Sequence, residues 1–111
     1  MQIDFNIIGY VLVISIKGEI DHHSAQYISK KIDSEIISNN IKKIVFDFSN
    51  VSFMDSSGIG VIIGRYRNIQ TLRGKAAIAN VNPYIKKVFE MSGIPAVISL
   101  YDNLDSAINS I

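Results

Sequence analysis

Residues 41–66 read IKKIVFDFSNVSFMDSSGIGVIIGRY, and the join inside this stretch decides the fold class. KKIVFDF (42–48) is almost continuously apolar, as a strand covered on both faces should be. Past Ser56 the apolar residues change period. Ile59, Ile62, Tyr66 and Ile69 recur every three or four positions, which predicts a helix with those four on its buried stripe and Gly74 as its stop. A buried strand that runs into a helix is half of a βαβ unit, so its neighbours are expected to lie parallel to it.

The pattern continues in both directions. Upstream, IDFNII (3–8) and VLVISIKG (11–18) alternate with period two around Gly9-Tyr10, which predicts a hairpin. DHHSAQYISKKIDSEIISNN (21–40) places Ala25, Ile28, Ile32 and Ile36 on one helical face, with Asp21 or Ser24 as the cap and Asn39-Asn40 as the end. Downstream, KAAIANV (75–81) reads as a strand. NPYIKKVFEMSG (82–93) reads as a helix capped by Asn82, with Pro83 in its first position and Gly93 closing it. AVISL (96–100) is expected to be a short last strand. DNLDSAINSI (102–111) is expected to be a helix with Leu104, Ala107, Ile108 and Ile111 on one face. The order β-β-α-β-α-β-α-β-α predicts an α/β fold in one domain, residues 1–111: a small mixed, mostly parallel sheet with an N-terminal β-hairpin and about four helices.

Composition narrows the function. The chain has 111 residues, 48% hydrophobic and 19% charged, with a net charge of +1 and no cysteine. No basic field argues for nucleic acid or an anionic membrane. Thiolate metal sites and cysteine nucleophiles are excluded. The start, MQIDFNIIGY, lacks the basic-then-apolar character of a secretory signal, and no apolar run approaches the roughly 20 residues of a membrane span. A soluble, cytoplasmic protein is expected.

The hydroxyl pair Ser56-Ser57, between Asp55 and Gly58, admits several readings. An elbow-type hydrolase needs Gly-x-Ser-x-Gly, but Met54 and Asp55 stand two before each serine, and the only histidines are His22 and His23. Adjacent histidines on a helix point about 100° apart and cannot share a metal unaided, so no metal site is expected. Gly58, Gly60 and Gly64 resemble a dinucleotide fingerprint, but Ile63 occupies the third glycine's place and no Gly-Lys-Ser/Thr is present. Nucleotide binding stays open. As structure, Ser56 would cap the helix, worth about 1 kcal/mol. Two details go further. One hydroxyl would suffice for a cap. Gly60 and Gly64 also lie opposite the apolar stripe, with Arg67, Asn68 and Thr71, although each costs about 1 kcal/mol relative to alanine. That face leaves room either for a partner's backbone or for a neighbouring helix of the same domain.

FMDSSGIGVIIGRY (53–66), with GEIDHH (18–23) before it and VFEMSGI (88–94) after it, resembles the STAS domain family. Within the family the likeness is to the antagonists of anti-sigma factors in spore-forming bacteria, over nearly the whole chain and in the same order. The resemblance implies a small α/β module with no catalytic activity and no cofactor. It implies binding to an anti-sigma factor that is also a serine kinase, which frees the sigma factor. Phosphorylation by that kinase ends the binding, and a dedicated serine phosphatase restores it. Carried onto this chain, the phosphorylated residue is Ser56. Asp55, Ser57 and Gly58 shape its loop, and Asp21 belongs to the adjoining surface, so these join Gly60 and Gly64 as expected partner-binding residues. A nucleotide-sensing STAS module or weak nucleotidase is the alternative, which titration with labelled GTP or ATP would separate.

Overall fold

The computed structural model describes residues 1–111. The opening hairpin is β1 (Gln2–Ile8) and β2 (Val11–Ile20), paired antiparallel from Gln2–Lys17 to Ile8–Val11. Gly9, at φ 62°, supplies the left-handed residue that its two-residue turn needs. There follow α1 (Ala25–Ser38), β3 (Lys43–Met54), α2 (Ser56–Thr71), β4 (Lys75–Ala79), α3 (Pro83–Ser92), a 3₁₀ turn (Ile94–Ala96), β5 (Ser99–Tyr101) and α4 (Leu104–Asn109). Strands β2 to β5 are mutually parallel. In the sheet the five strands stand in chain order.

That order dictates the layers. Right-handed crossovers that always step the same way put every connecting helix on one face. Helices α1, α2 and α3 accordingly pack Ile28, Ile32, Ile62, Ile69, Ile85 and Phe89 onto Leu12, Ile14, Ile44 and Phe46. Only α4, which follows the last strand, reaches the other face. Its Leu104, Ala107 and Ile108, with Ile111, cover Val11, Val13, Val45, Ala77 and Ala79, the face expected for this helix. Ile44, Val45 and Phe46 are fully buried, so the central strand is covered on both sides. Asn82 caps α3 by accepting the Ile85 N–H at 2.8 Å, Pro83 opens the helix and Gly93 ends it at φ 83°.

Three expectations change. Strand β3 runs on past Phe48 to Met54, pairing with β2 alone through register shifts near Lys17 and Gly18. SNVSFM loses the continuous apolar character because it has one strand neighbour, and only Val51 and Met54 point inward. AVISL is not a strand throughout. The N–H groups of Val97 and Ile98 both donate to the Ile94 carbonyl at 2.9 Å, so the chain turns there and β5 starts at Ser99. The stripe of α2 is wider than four residues. Val61 joins Ile62 and Ile69 in full burial, while Ile59 and Tyr66 are half-buried. The extra coverage comes from α1, which lies along α2's flank and brings Asp33 Oδ1 2.9 Å from Arg65 Nε.

Candidate functional site

Strands β2 and β3 end level with each other. Ile20 pairs with Met54, and the Asp55 N–H donates to the Ile20 carbonyl at 3.2 Å. Asp21 and the Asp55–Ser57 segment therefore leave adjacent strands together, at the carboxyl rim of the parallel sheet, where open α/β sheets carry their sites.

Asp55, not Ser56, caps α2. Its Oδ1 accepts the Ser57 N–H at 2.8 Å and its carbonyl accepts the Gly58 N–H at 3.0 Å. A carboxylate here also complements the positive end of the helix dipole. The expected cap at Ser56 is thus corrected. Ser56 is the first helical residue, it is exposed, and its hydroxyl makes no hydrogen bond within the chain. Ser57 is half-buried beside it.

Asp21 organises the turn ahead of α1. Its Oδ1 accepts the His23 N–H at 2.9 Å and the Ser24 N–H at 3.0 Å, while Ser24 Oγ accepts the Asp21 N–H at 3.1 Å. The Ser24 N–H, foremost, and the His23 N–H hold its carboxyl below the ordinary value of 3.8. Between the two candidate caps, Ser24 takes the position and Asp21 does the bonding. His22 and His23 sit exposed in this turn, ahead of the helix rather than in it, and no group of three or more His, Asp or Glu side chains could hold a metal ion.

The three glycines divide. Gly58 is buried; a Cβ there would overlap Met54 and come within 3.2 Å of Ile20 Cγ2. Its role is to let α2 start tight against the strand ends, and it lies beneath the surface rather than on it. A Cβ at Gly60 or Gly64 would meet nothing within 4 Å. No neighbouring helix fills the space at these two glycines, while α1 borders the far end of the same face at Asn68 and Thr71. Arg67 and Thr71 are exposed as expected, while Asn68 turns to α1 and donates to Asp33 Oδ1 at 3.2 Å. All three glycines lie inside α2, not in a loop ahead of it, and do not form a phosphate cradle.

The rim has one further feature, an aromatic pair. Phe53, three residues before Ser56, stacks on Tyr84 with ring centroids 6.3 Å apart, and the two residues remain 40% and 51% exposed. Nothing in the sequence marks them, since an aromatic at a strand end is ordinarily core. None of the larger clefts includes Ser56. One of them, about 490 Å³, is lined by Asp21 itself, with Gly18, Glu19, His23, Ser24 and Tyr27. A shallow rim with an exposed hydroxyl and an open helix face suits a protein surface better than a small ligand.

Residues 2–107 match the STAS domain family. Over 111 residues the chain is 35% identical to the anti-sigma F factor antagonist of Paenibacillus polymyxa and covers 95% of it. It is similar to the structure of the anti-sigma factor antagonist SpoIIAA in its unphosphorylated form, with 28% identity, a TM-score of 0.77, and 98% of this chain and 96% of that one covered. The Bacillus cell fate determinant SpoIIAA in the phosphorylated form matches at 31% identity and a TM-score of 0.77, with 98% of each chain covered.

Proposed function

Since the chain belongs to the STAS domain family, we propose that it is an anti-sigma factor antagonist switched by phosphorylation of Ser56. Unphosphorylated, it binds an anti-sigma factor that is also a serine kinase, and so frees the sigma factor. Phosphorylated, it lets go until a serine phosphatase resets it. The module itself catalyses nothing. The observation that carries this reading is the free, exposed hydroxyl of Ser56 at the first position of a helix already capped by Asp55.

The physics of the switch follows from that position. A phosphoserine carries about −1.5 to −2 charge at neutral pH. Asp55 already holds the Ser57 and Gly58 N–H groups, but the dipole at a helix start still tolerates an exposed anion, so the domain keeps its fold. The burden falls on the complex, where a bulky dianion enters a packed contact beside Asp55. A mismatch of this kind costs several kcal/mol. About 3 kcal/mol weakens binding roughly 150-fold.

The test is incubation with the cognate kinase and ATP, followed by mass mapping. One phosphate on the peptide containing Ser56, and loss of the complex on its arrival, is the expected result. A phosphate elsewhere, or a complex that survives full modification, overturns the proposal. Ser56→Asp should also bind far more weakly while melting close to wild type; a large fall in melting temperature would mean unfolding, not release.

A further inference from the structure

The sheet has two edges, and they are built differently. Strand β5 is three residues long, and a short edge offers little for another chain to pair with. Strand β1 is seven residues long and forms the opposite edge, so its outer row of backbone groups has no strand neighbour. Exposed edges are usually guarded by lysine, proline or a bulge. QIDFNII has neither residue, its single charge is the exposed carboxylate of Asp4, and it pairs with β2 without a register shift. On the face that the three crossover helices cover, β1 presents Ile3, Phe5 and Ile7, opposite Ile16, Ile14 and Leu12. Ile3 and Phe5 are only half-buried at the margin of the core, and Ile7 is 47% exposed.

We infer that β1 pairs antiparallel with β1 of a second copy of this chain, about a two-fold axis at Phe5, making one continuous sheet of two copies. The side chains select the occupant and the register. With the axis at Phe5, Ile3 of each copy faces Ile7 of the other, and Phe5 faces its counterpart. The half-covered apolar row of one sheet then extends that of the other. Asp4 faces Asn6, so no like charges meet. An axis at Asp4 would set the two carboxylates against each other. A slip of one residue would set the helix-covered face of one sheet beside the α4 face of the other. The pairing leaves the carboxyl rims free. The two copies of β3 run in opposite directions, so the two Ser56 loops stand at opposite ends of the joined sheet.

Sedimentation equilibrium of the full unphosphorylated chain over a concentration series tests this, with two opposed substitutions at the exposed Asn6. Asn6→Asp places a carboxylate against Asp4 at two symmetric positions and should weaken the dimer about three- to thirtyfold. Asn6→Lys should tighten it by a similar factor. Because the chain has no cysteine, Phe5→Cys should give a covalent dimer on mild oxidation, whereas Gln2→Cys, which faces Ile8, should not. A monomer at every concentration overturns the inference. So does a dimer indifferent to both Asn6 changes, or equal cross-linking from both cysteine variants.

Discussion

Adding a single methyl at each of the three glycines of α2 should give opposite results within one helix. At Gly60 and Gly64 the added Cβ meets nothing within 4 Å. Gly→Ala then only removes backbone freedom from the unfolded chain and adds helix propensity, worth up to about 1 kcal/mol. For a domain of this size that raises the melting temperature by roughly 4 °C. At Gly58 the same methyl overlaps the side chain of Met54, which is 1% exposed and packed in the core, and presses on Ile20. Overpacking costs about 1–3 kcal/mol, so the propensity gain is cancelled or outweighed and the melting temperature falls by up to about 8 °C. Calorimetry of the three variants reads the fold. Titration against the anti-sigma kinase reads the surface. If the open face docks a partner's backbone, Gly64→Ala costs about 1–3 kcal/mol of affinity, a loss of roughly 5- to 150-fold, while the protein itself grows more stable. Gly60→Ala or Gly64→Ala melting below wild type would refute the open face. A stable variant that binds normally would refute its use, leaving Asp21 and Ser56 as the centre of the contact.

Ser56→Ala should melt within about 1 °C of wild type, since the cap belongs to Asp55, and should bind the kinase without ever gaining a phosphate; a phosphate added at the wild-type rate would exclude Ser56. Asp55→Ala removes the acceptor of the Ser57 N–H and should lower stability by about 1 kcal/mol, whereas Asp55→Asn should keep most of it, as thermal melts will show. The lowered pKa of Asp21 means that its stabilising contribution is fully present above pH 3.8 and is lost as pH falls below that value. The gap in melting temperature between wild type and Asp21→Ala should therefore hold on acidification until the pH reaches 3.8 and narrow progressively below it; a constant gap would show that the carboxylate's charge is irrelevant to the turn.

What the sequence disclosed, it disclosed through periodicity and punctuation. The apolar run at Ile44–Phe48, the switch to helical spacing after Ser56, and the Asn82-Pro83…Gly93 frame of α3 each combine pattern with a start or stop residue, and each stands where expected. Where pattern and backbone bonding part company, pattern misleads. Val97 and Ile98 look like strand, but their N–H groups serve a turn. Val61 is buried off the simple stripe, one turn before Arg65, whose contact with Asp33 of α1 is invisible to local spacing. At the site, the choice of Asp55 over Ser56 as the cap rests on a one-residue shift in where the helix begins, which side-chain type alone does not decide, since both residues cap well. The emptiness around Gly60 and Gly64, and the stacking of Phe53 on Tyr84, are facts of tertiary placement with no local signature.

The agreement between chain order and sheet order also bears on how the molecule assembles. Partners across β2–β3 and β3–β4 are separated by 32 residues, as Val11 from Lys43 and Lys43 from Lys75, and those across β4–β5 by 22, as Ala77 from Ser99. Each new strand closes a loop of modest and nearly constant length onto the strand just before it, so the entropy of closure never grows as the sheet widens. A chain emerging from the ribosome can add one crossover at a time to an edge that already exists, beginning from the hairpin. Low contact order of this kind favours rapid folding for a parallel sheet. The Ser56 turn itself needs only β2, β3 and the start of α2, all in about the first half of the chain, and α3 adds Tyr84 to the rim afterwards. The last segment, β5 with α4, then covers the face that all the earlier steps leave open.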